Sequence, residues 1–377
     1  MDRVQERIFC SGSQMIAEGA INAGCRFFAG YPITPASGIY KHMIELLQKR
    51  GDLAISAPDE ISALAYCVGA SMRGVKAMTA TSGPGWALMI ETLQYALMTE
   101  TPVVIAMVQR LGPSTGGATQ GAQGDILLTE FCTSGGYTIP VFCPSTAAEC
   151  YDLTVTAFNW AERLRSPVVL LTDKEVAMTS ETVDPLRLTT MPLVERTPAN
   201  PKERERWRMY DFQNTADVPE FAPVGGALKV SATGSAHNKG GFLKKNDKET
   251  IEVLLHLEEK INGRRDELAL AATDKQDGAS TLVVSYGITA RAADQAVKTA
   301  RAQGKKASSI ALKSLFPIPE EFLRMAAVGA DRIVCAEENL NGQYFKLIAH
   351  LFPDAKHVRI NRVGRMITPT EIENAIL

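Results

Sequence analysis

The chain has 377 residues, 45% of them hydrophobic and 22% charged, and a formal net charge of -2. That length suits two or three domains, the composition is that of a globular protein able to bury a sizeable core, and the charge balance offers no field for nucleic acid. Nowhere do about 18 apolar residues follow one another, and the charged start MDRVQERIFC lacks the apolar run of a signal peptide, so no membrane helix and a cytoplasmic location are expected.

From residue 8 to about 175, short apolar runs (RFFAGY, DLAISA, KAMTAT, PVVIAMV, YTIPVF, PVVLLTD) alternate with longer helical patterns such as ISALAYCVGASMRG and STAAECYDLTVTAFNWAERL. The runs show no in/out alternation, which suits strands covered on both faces and predicts a doubly wound parallel-sheet α/β domain over 1–185. Over 186–275 the texture turns to proline, glycine and charge. Trp207, Tyr210, Phe212, Phe221 and Phe242 are too many aromatics for a free tether, so this segment reads as an irregular excursion over the first domain. It ends in one helix near ETIEVLLHLEEKIN. From 276 to 377, TLVVSYG, KASSIALKS, DRIVCAEE and HVRINR alternate with helical patterns and predict a second, smaller doubly wound parallel-sheet domain.

The seven cysteines lie far apart in mostly apolar segments without C-x-x-C spacing, and the five histidines are equally dispersed, so buried reduced thiols and no metal bound by this chain are expected.

In an open parallel sheet, ligands sit beyond the carboxyl ends of the strands, and four such ends carry unusual residues. After RFFAGY comes Tyr31-Pro32-Ile33-Thr34-Pro35, where Pro35 reads as the first helical residue and Thr34 as the N-cap beside open amides suited to a carboxylate. After DLAISA comes Pro58-Asp59-Glu60, where one acid can cap the helix and the other is left over. After KAMTAT comes Ser82-Gly83-Pro84-Gly85, a tight turn that permits close backbone approach. After PVVIAMV comes the glycine-rich QRLGPSTGGATQGAQGD, which reads as a mobile binding loop whose only cation is Arg110; both Walker-like spacings in it lack the lysine. Helix capping alone also accounts for Thr34 and for one of the acids. A dinucleotide fingerprint is absent, since SGPGWA holds two of its three glycines.

Together, YPITPAS, PDEISALAYCVGAS, ATSGPGWALM and QRLGPSTG resemble the α subunit of the 2-oxoacid:ferredoxin oxidoreductases, and VVSYGITARAADQAV, LKSLFPIPEEFL and VCAEENLNGQ resemble that family's transketolase C-terminal-like domain. The resemblance implies thiamine-diphosphate-dependent oxidative decarboxylation of a 2-oxoacid, with coenzyme A as acyl acceptor and ferredoxin or a similar protein as electron acceptor. It makes 1–185 the pyrimidine-binding domain. Glu60 would hydrogen-bond the aminopyrimidine and promote its imino tautomer, and Thr34 and Arg110 would hold the substrate carboxylate. Tyr31, Pro32, Ser82 and Gly83 would line the cofactor. No Gly-Asp-Gly and no cysteine set for a cluster occurs here, so the resemblance assigns the diphosphate, Mg²⁺ and iron-sulfur half to a β subunit in an α2β2 complex. The alternative is a scaffold subunit that only positions a catalytic partner. Departures from the family pattern, Leu111 after the arginine and GATQGAQGD behind it, bear on substrate choice. 2-Oxoglutarate stands first, with His237 or Lys239 of TGSAHNKGG able to meet its second carboxylate, and branched-chain or aryl 2-oxoacids stand behind it.

Overall fold

The computed structural model describes residues 7–202, 205 and 207–376; the first six residues, read above as charged, lie outside these. The first part runs β1 (Ile8–Ser11), α1 (Gly12–Asn22), β2 (Phe27–Gly30), α2 (Ser37–Arg50), β3 (Leu53–Ser56), α3 (Glu60–Met72), β4 (Ala77–Ser82), α4 (Gly83–Met98) and β5 (Val103–Gln109). It continues with α5 (Ile126–Glu130), β6 (Val141–Phe142), α6 (Ala147–Leu164), β7 (Pro167–Asp173), α7 (Lys174–Met178) and β8 (Ser180–Val183). After the excursion come α8 (Lys248–Asn262), α9 (Arg265–Leu268), β9 (Ala271–Asp274), β10 (Thr281–Tyr286), α10 (Thr289–Ala302), β11 (Ala307–Leu312) and β12 (Ser314–Phe316). The chain closes with α11 (Glu320–Ala326), β13 (Arg332–Glu337), α12 (Gln343–Ile348), β14 (Lys356–Asn361) and α13 (Pro369–Glu373).

Two main sheets result. The larger has the order β12-β6-β7-β5-β4-β2-β3, parallel except for β12, and the smaller has β14-β13-β10-β11-β9, parallel except for β9. Strands β4, β5 and β7 are buried along their whole length, as their unbroken apolar runs require, because helices cover both sheet faces. Both antiparallel edges cross the boundaries read from texture. β12, from the C-terminal stretch, pairs with the short β6 of the first sheet, and β9, within 186–275, joins the second sheet.

The excursion is anchored to the first sheet's helices. Arg165, buried at the end of α6, donates to the carbonyls of Met209 (3.2 Å), Pro219 (3.2 Å) and Glu220 (2.9 Å). Arg196 grips Glu162 through Nε (2.7 Å) and Nη2 (2.8 Å) in a buried bidentate pair. Of the five aromatics, Tyr210, Phe212 and Phe221 are buried, while Phe242 is exposed. All seven cysteines are free and buried. No helix among the described residues is long and apolar enough to cross a membrane.

Candidate active site

The sheet order β5-β4-β2-β3 brings four strand ends side by side, and the site is built around the first turn of α4. Asp59 takes the capping task at α3, its Oδ1 accepting from Ser62 N at 2.7 Å. Glu60 is thereby left free of the helix end. Only 7% of it is exposed, and among the described residues its carboxylate has no hydrogen bond or ion pair. A carboxylate on a largely buried side chain that no protein group satisfies, and whose oxygens are not sealed off, is open to a ligand. Room for it comes from Gly85. A Cβ there would lie 2.2 Å from Thr81 Oγ1, 2.6 Å from Glu60 Cγ and 2.7 Å from Glu60 Oε1.

The other glycine of the turn is confined in the same way, for a Cβ on Gly83 would stand 3.0 Å from Asp125 Oδ1. Each glycine of Gly83-Pro84-Gly85 therefore faces a carboxyl group, and the turn is sandwiched between Glu60 and Asp125. Ser82, buried at the N-cap of α4, uses its hydroxyl for no capping bond, and Ser82 Oγ and Trp86 Nε1 are both buried without a partner. Tyr31 and Pro32 are exposed at the rim.

Thr34 is placed differently from the N-cap expected of it. The Thr34–Pro35 bond is cis, residues 34–36 form a turn, and helical bonding begins with Tyr40 N to Ala36 O (3.2 Å). The N-cap of α2 is Ala36, without a side-chain bond, because a residue before proline is held away from helical geometry and Pro35 does not continue directly into the helix. Thr34 still meets Arg110, but through its backbone. Arg110 Nη1 donates to Thr34 O at 2.6 Å and Nη2 to Thr115 O at 2.9 Å, while Nε is buried without a partner. The arginine, 6% exposed, thus ties the proline turn to the glycine-rich loop. That loop closes on itself through Leu111 N to Gln120 O and Gly117 N to Leu111 O, both 2.9 Å. Gly116 sits at φ 50° where a Cβ would fall 1.8 Å from Leu111 O, so only glycine fits.

Between this turn and the C-terminal sheet lies a cavity of about 530 Å³, lined among others by Gly83, Arg110, Asp125, Glu338 and Gln343. Asp125 and Glu338 escaped the sequence reading. Burial pushes the Asp125 carboxyl up to about 7 against the pull of Arg110. Burial also pushes Glu338 up to about 7, opposed by the Ile367 N–H that its Oε1 accepts at 3.0 Å. The available signals were weak, an acid closing a glycine-rich loop and a doubled glutamate after a strand.

A polar seam holds the two sides of the cavity in register. Asp173, fully buried at the end of β7, accepts from Gln109 Nε2 (3.0 Å) and Gln123 Nε2 (3.2 Å). Gln123 also donates to Tyr286 O (3.1 Å) and accepts from Glu338 N (3.0 Å), and its carbonyl accepts from Asn339 Nδ2 (3.0 Å).

His237 and Lys239 do not reach this cavity, a correction to their expected role beside the substrate. His237 is fully buried, with Nε2 3.1 Å from Met98 O, and Met98 ends α4 about 22 Å along the helix from the Gly-Pro-Gly turn. Lys239 donates to Phe212 O at 2.7 Å and lies 3.9 Å over the Phe212 ring. Both secure the excursion because its aromatics and carbonyls, far apart in sequence, converge there.

Two family models match the chain. One, described as the thiamine-diphosphate-binding region of pyruvate flavodoxin/ferredoxin oxidoreductase, covers residues 18–255. The other, core domain II of pyruvate:ferredoxin oxidoreductase, covers residues 279–372. The chain belongs to the 2-oxoacid:ferredoxin oxidoreductase family. Among its relatives is 2-oxoglutarate synthase subunit KorA of Methanothermobacter marburgensis, 38% identical over 99% of this chain and 99% of that protein. The subunit of the same name from Methanothermobacter thermautotrophicus is 37% identical over 99% of this chain and 98% of its own. A solved structure, 2-oxoglutarate:ferredoxin oxidoreductase from Magnetococcus marinus with 2-oxoglutarate, coenzyme A and succinyl-CoA bound, superposes with a TM-score of 0.90 at 29% identity. It covers 99% of this chain, which spans 65% of the length of that one. As a member of this oxidoreductase family, the chain is a subunit of an enzyme.

Proposed function

We propose that this chain is the α-type subunit of a 2-oxoacid:ferredoxin oxidoreductase that decarboxylates 2-oxoglutarate, transfers the acyl group to coenzyme A and passes electrons to ferredoxin or a similar acceptor. The observation that carries the reading is Glu60, buried and unpartnered against a glycine that leaves space for nothing larger. That cradle, with the orphaned Ser82 hydroxyl beside it, fits an aminopyrimidine ring. When bound, thiamine diphosphate supplies the nucleophilic carbon and electron sink that decarboxylation of a 2-oxoacid requires.

Glu60 would hold a proton between its carboxylate and a ring nitrogen, with Tyr31, Pro32 and Gly83 at the cofactor's edges. Arg110 has five N–H donors and directs two to backbone carbonyls, so the remainder serve the substrate carboxylate next to Thr34. Its fixed fork orients that carboxylate without losing freedom at the moment of reaction. Ile61 and Tyr66 on α3 and Leu88 on α4 are exposed on the two helices whose first turns carry Glu60 and Gly85, apolar side chains available to a second subunit. A β subunit would dock there and bring the diphosphate site, Mg²⁺ and the iron-sulfur cluster in an α2β2 complex. The names of the relatives and the ligands of the solved structure support 2-oxoglutarate as substrate.

Co-expression with a β-type subunit, followed by coenzyme A-dependent reduction of a viologen dye across a panel of 2-oxoacids, tests this reading. The highest kcat/KM is expected with 2-oxoglutarate. A preference for branched-chain or aryl acids would overturn the substrate, and silence with every acid in a cofactor-loaded complex would overturn the activity.

A further inference from the structure

The cavity holds a carboxyl group that the roles above leave unused. Asp125 stands at the entry of α5, its backbone N–H donating to Gln109 Oε1 at 3.2 Å and its side chain taking no part in capping the helix. Oδ2 is sealed from solvent and has no hydrogen-bond partner. Gly83 packs against the carboxyl on one side, and Arg110 is the charge that reaches it, without forming an ion pair. Across the cavity the C-terminal domain presents Glu338 with neutral Asn339 and Gln343, and α3 presents Glu60 on the far side of the Gly-Pro-Gly turn. An unpaired carboxyl kept in such surroundings costs stability, which is characteristic of groups retained for chemistry.

The cavity's shape narrows the ligand. Its volume of about 530 Å³ falls within the range of small-molecule sites, and Pro84, Ala87, Leu128, Leu340 and Val363 make much of its wall apolar. Leu340, 80% exposed, marks an open mouth. An amide-bearing chain ending in a thiol can lie along the apolar wall and donate to both carboxyl groups. Resting on the function proposed above, we infer that Asp125 is the proton acceptor for the thiol of the acyl-accepting substrate, coenzyme A. In this step the S–H bond breaks and an O–H bond forms on the Asp125 carboxylate. The electron pair stays on sulfur as the thiolate, and the proton later leaves to solvent through the cavity mouth. A base is needed because a free alkyl thiol, whose pKa lies above the about 8.5 of cysteine, is at most a few per cent ionised at neutral pH. The upward push on Asp125 sets it near the pH at which a general base is most effective.

The test uses the assembled, cofactor-loaded complex carrying Asp125→Asn or Asp125→Glu. For Asp125→Asn, single-turnover carbon dioxide release without coenzyme A should stay within about twofold of wild type and coenzyme A should still bind by calorimetry, while coenzyme A-dependent turnover at pH 7 falls about 100-fold. The deficit should shrink about tenfold per pH unit as pH rises towards the thiol's own pKa, as the thiol ionises unaided. Asp125→Glu keeps a carboxyl and should keep the flatter wild-type pH profile. Unchanged turnover, a loss independent of pH, or equal loss with and without coenzyme A would each overturn the inference. Should Asp125→Asn fail to assemble, a thiol-like pH profile in Asp125→Glu would overturn it equally. A wild-type complex inactive with every 2-oxoacid would instead remove the function on which this role rests.

Discussion

Gly85→Ala puts the geometry around Glu60 to a quantitative test. The added methyl would sit 2.7 Å from Glu60 Oε1 and 2.2 Å from Thr81 Oγ1, where ordinary contact begins at 3.4 Å. Thr81 lies on the fully buried strand β4 and has little freedom to retreat. The first turn of α4 must therefore shift away from Thr81 by about 1.2 Å, and the Glu60 side chain yields by about 0.7 Å or more. Overpacking of this kind costs about 1–3 kcal/mol of stability. A displacement approaching 1 Å at a reacting group can cost about 100-fold in rate. The expected result is a complex that assembles, with a modestly lower urea midpoint and 2-oxoacid turnover reduced about 30- to 100-fold, more in kcat than in KM. Turnover is read by dye reduction, and cofactor loading by near-ultraviolet circular dichroism. Wild-type turnover in a folded, loaded Gly85→Ala complex would refute the claim that this glycine holds the space for Glu60.

Three further predictions follow from single contacts. Glu60→Gln should leave far-ultraviolet circular dichroism and subunit assembly unchanged while lowering kcat by at least about 100-fold, because the amide cannot take up the ring-nitrogen proton. Arg110→Ala removes both the fork and the tether between Thr34 and Thr115, and should lower kcat/KM for the 2-oxoacid about 100-fold or more, measured by steady-state kinetics. Burial pushes the Glu100 carboxyl up, but Lys260 (2.8 Å), His256 (3.0 Å) and Arg165 outweigh it and hold the group well below the usual carboxylate range. With a folded pKa below the unfolded one, this cluster stabilises the protein above the ordinary glutamate pKa, and that stability is lost as pH falls through the folded value. Lys260→Met should therefore destabilise the fold by about 3–5 kcal/mol at neutral pH in urea unfolding, by leaving Glu100 buried without its ammonium partner.

Local chemistry in the sequence determined a good deal about this protein. Unbroken apolar runs such as PVVIAMV and PVVLLTD encode strands covered on both faces, and they are β5 and β7 at the centre of the larger sheet. Pro58-Asp59-Glu60 and Gly83-Pro84-Gly85 stand where a strand hands over to a helix, since capping and turn formation depend on the next three or four residues alone. Only tertiary structure decided what those residues touch. Thr34 meets Arg110 through its carbonyl and not as a cap, His237 is sealed at the far end of α4, and Asp125 packs against Gly83 in the wall of a cavity whose other side the C-terminal domain supplies. β12 crosses to the first sheet because the short β6 offers it an edge, and the seam through Gln123 joins residues more than 200 positions apart. Such pairings leave no periodic or capping signature, because their energy comes from burial and from satisfying polar groups that the chain itself brings together only once folded.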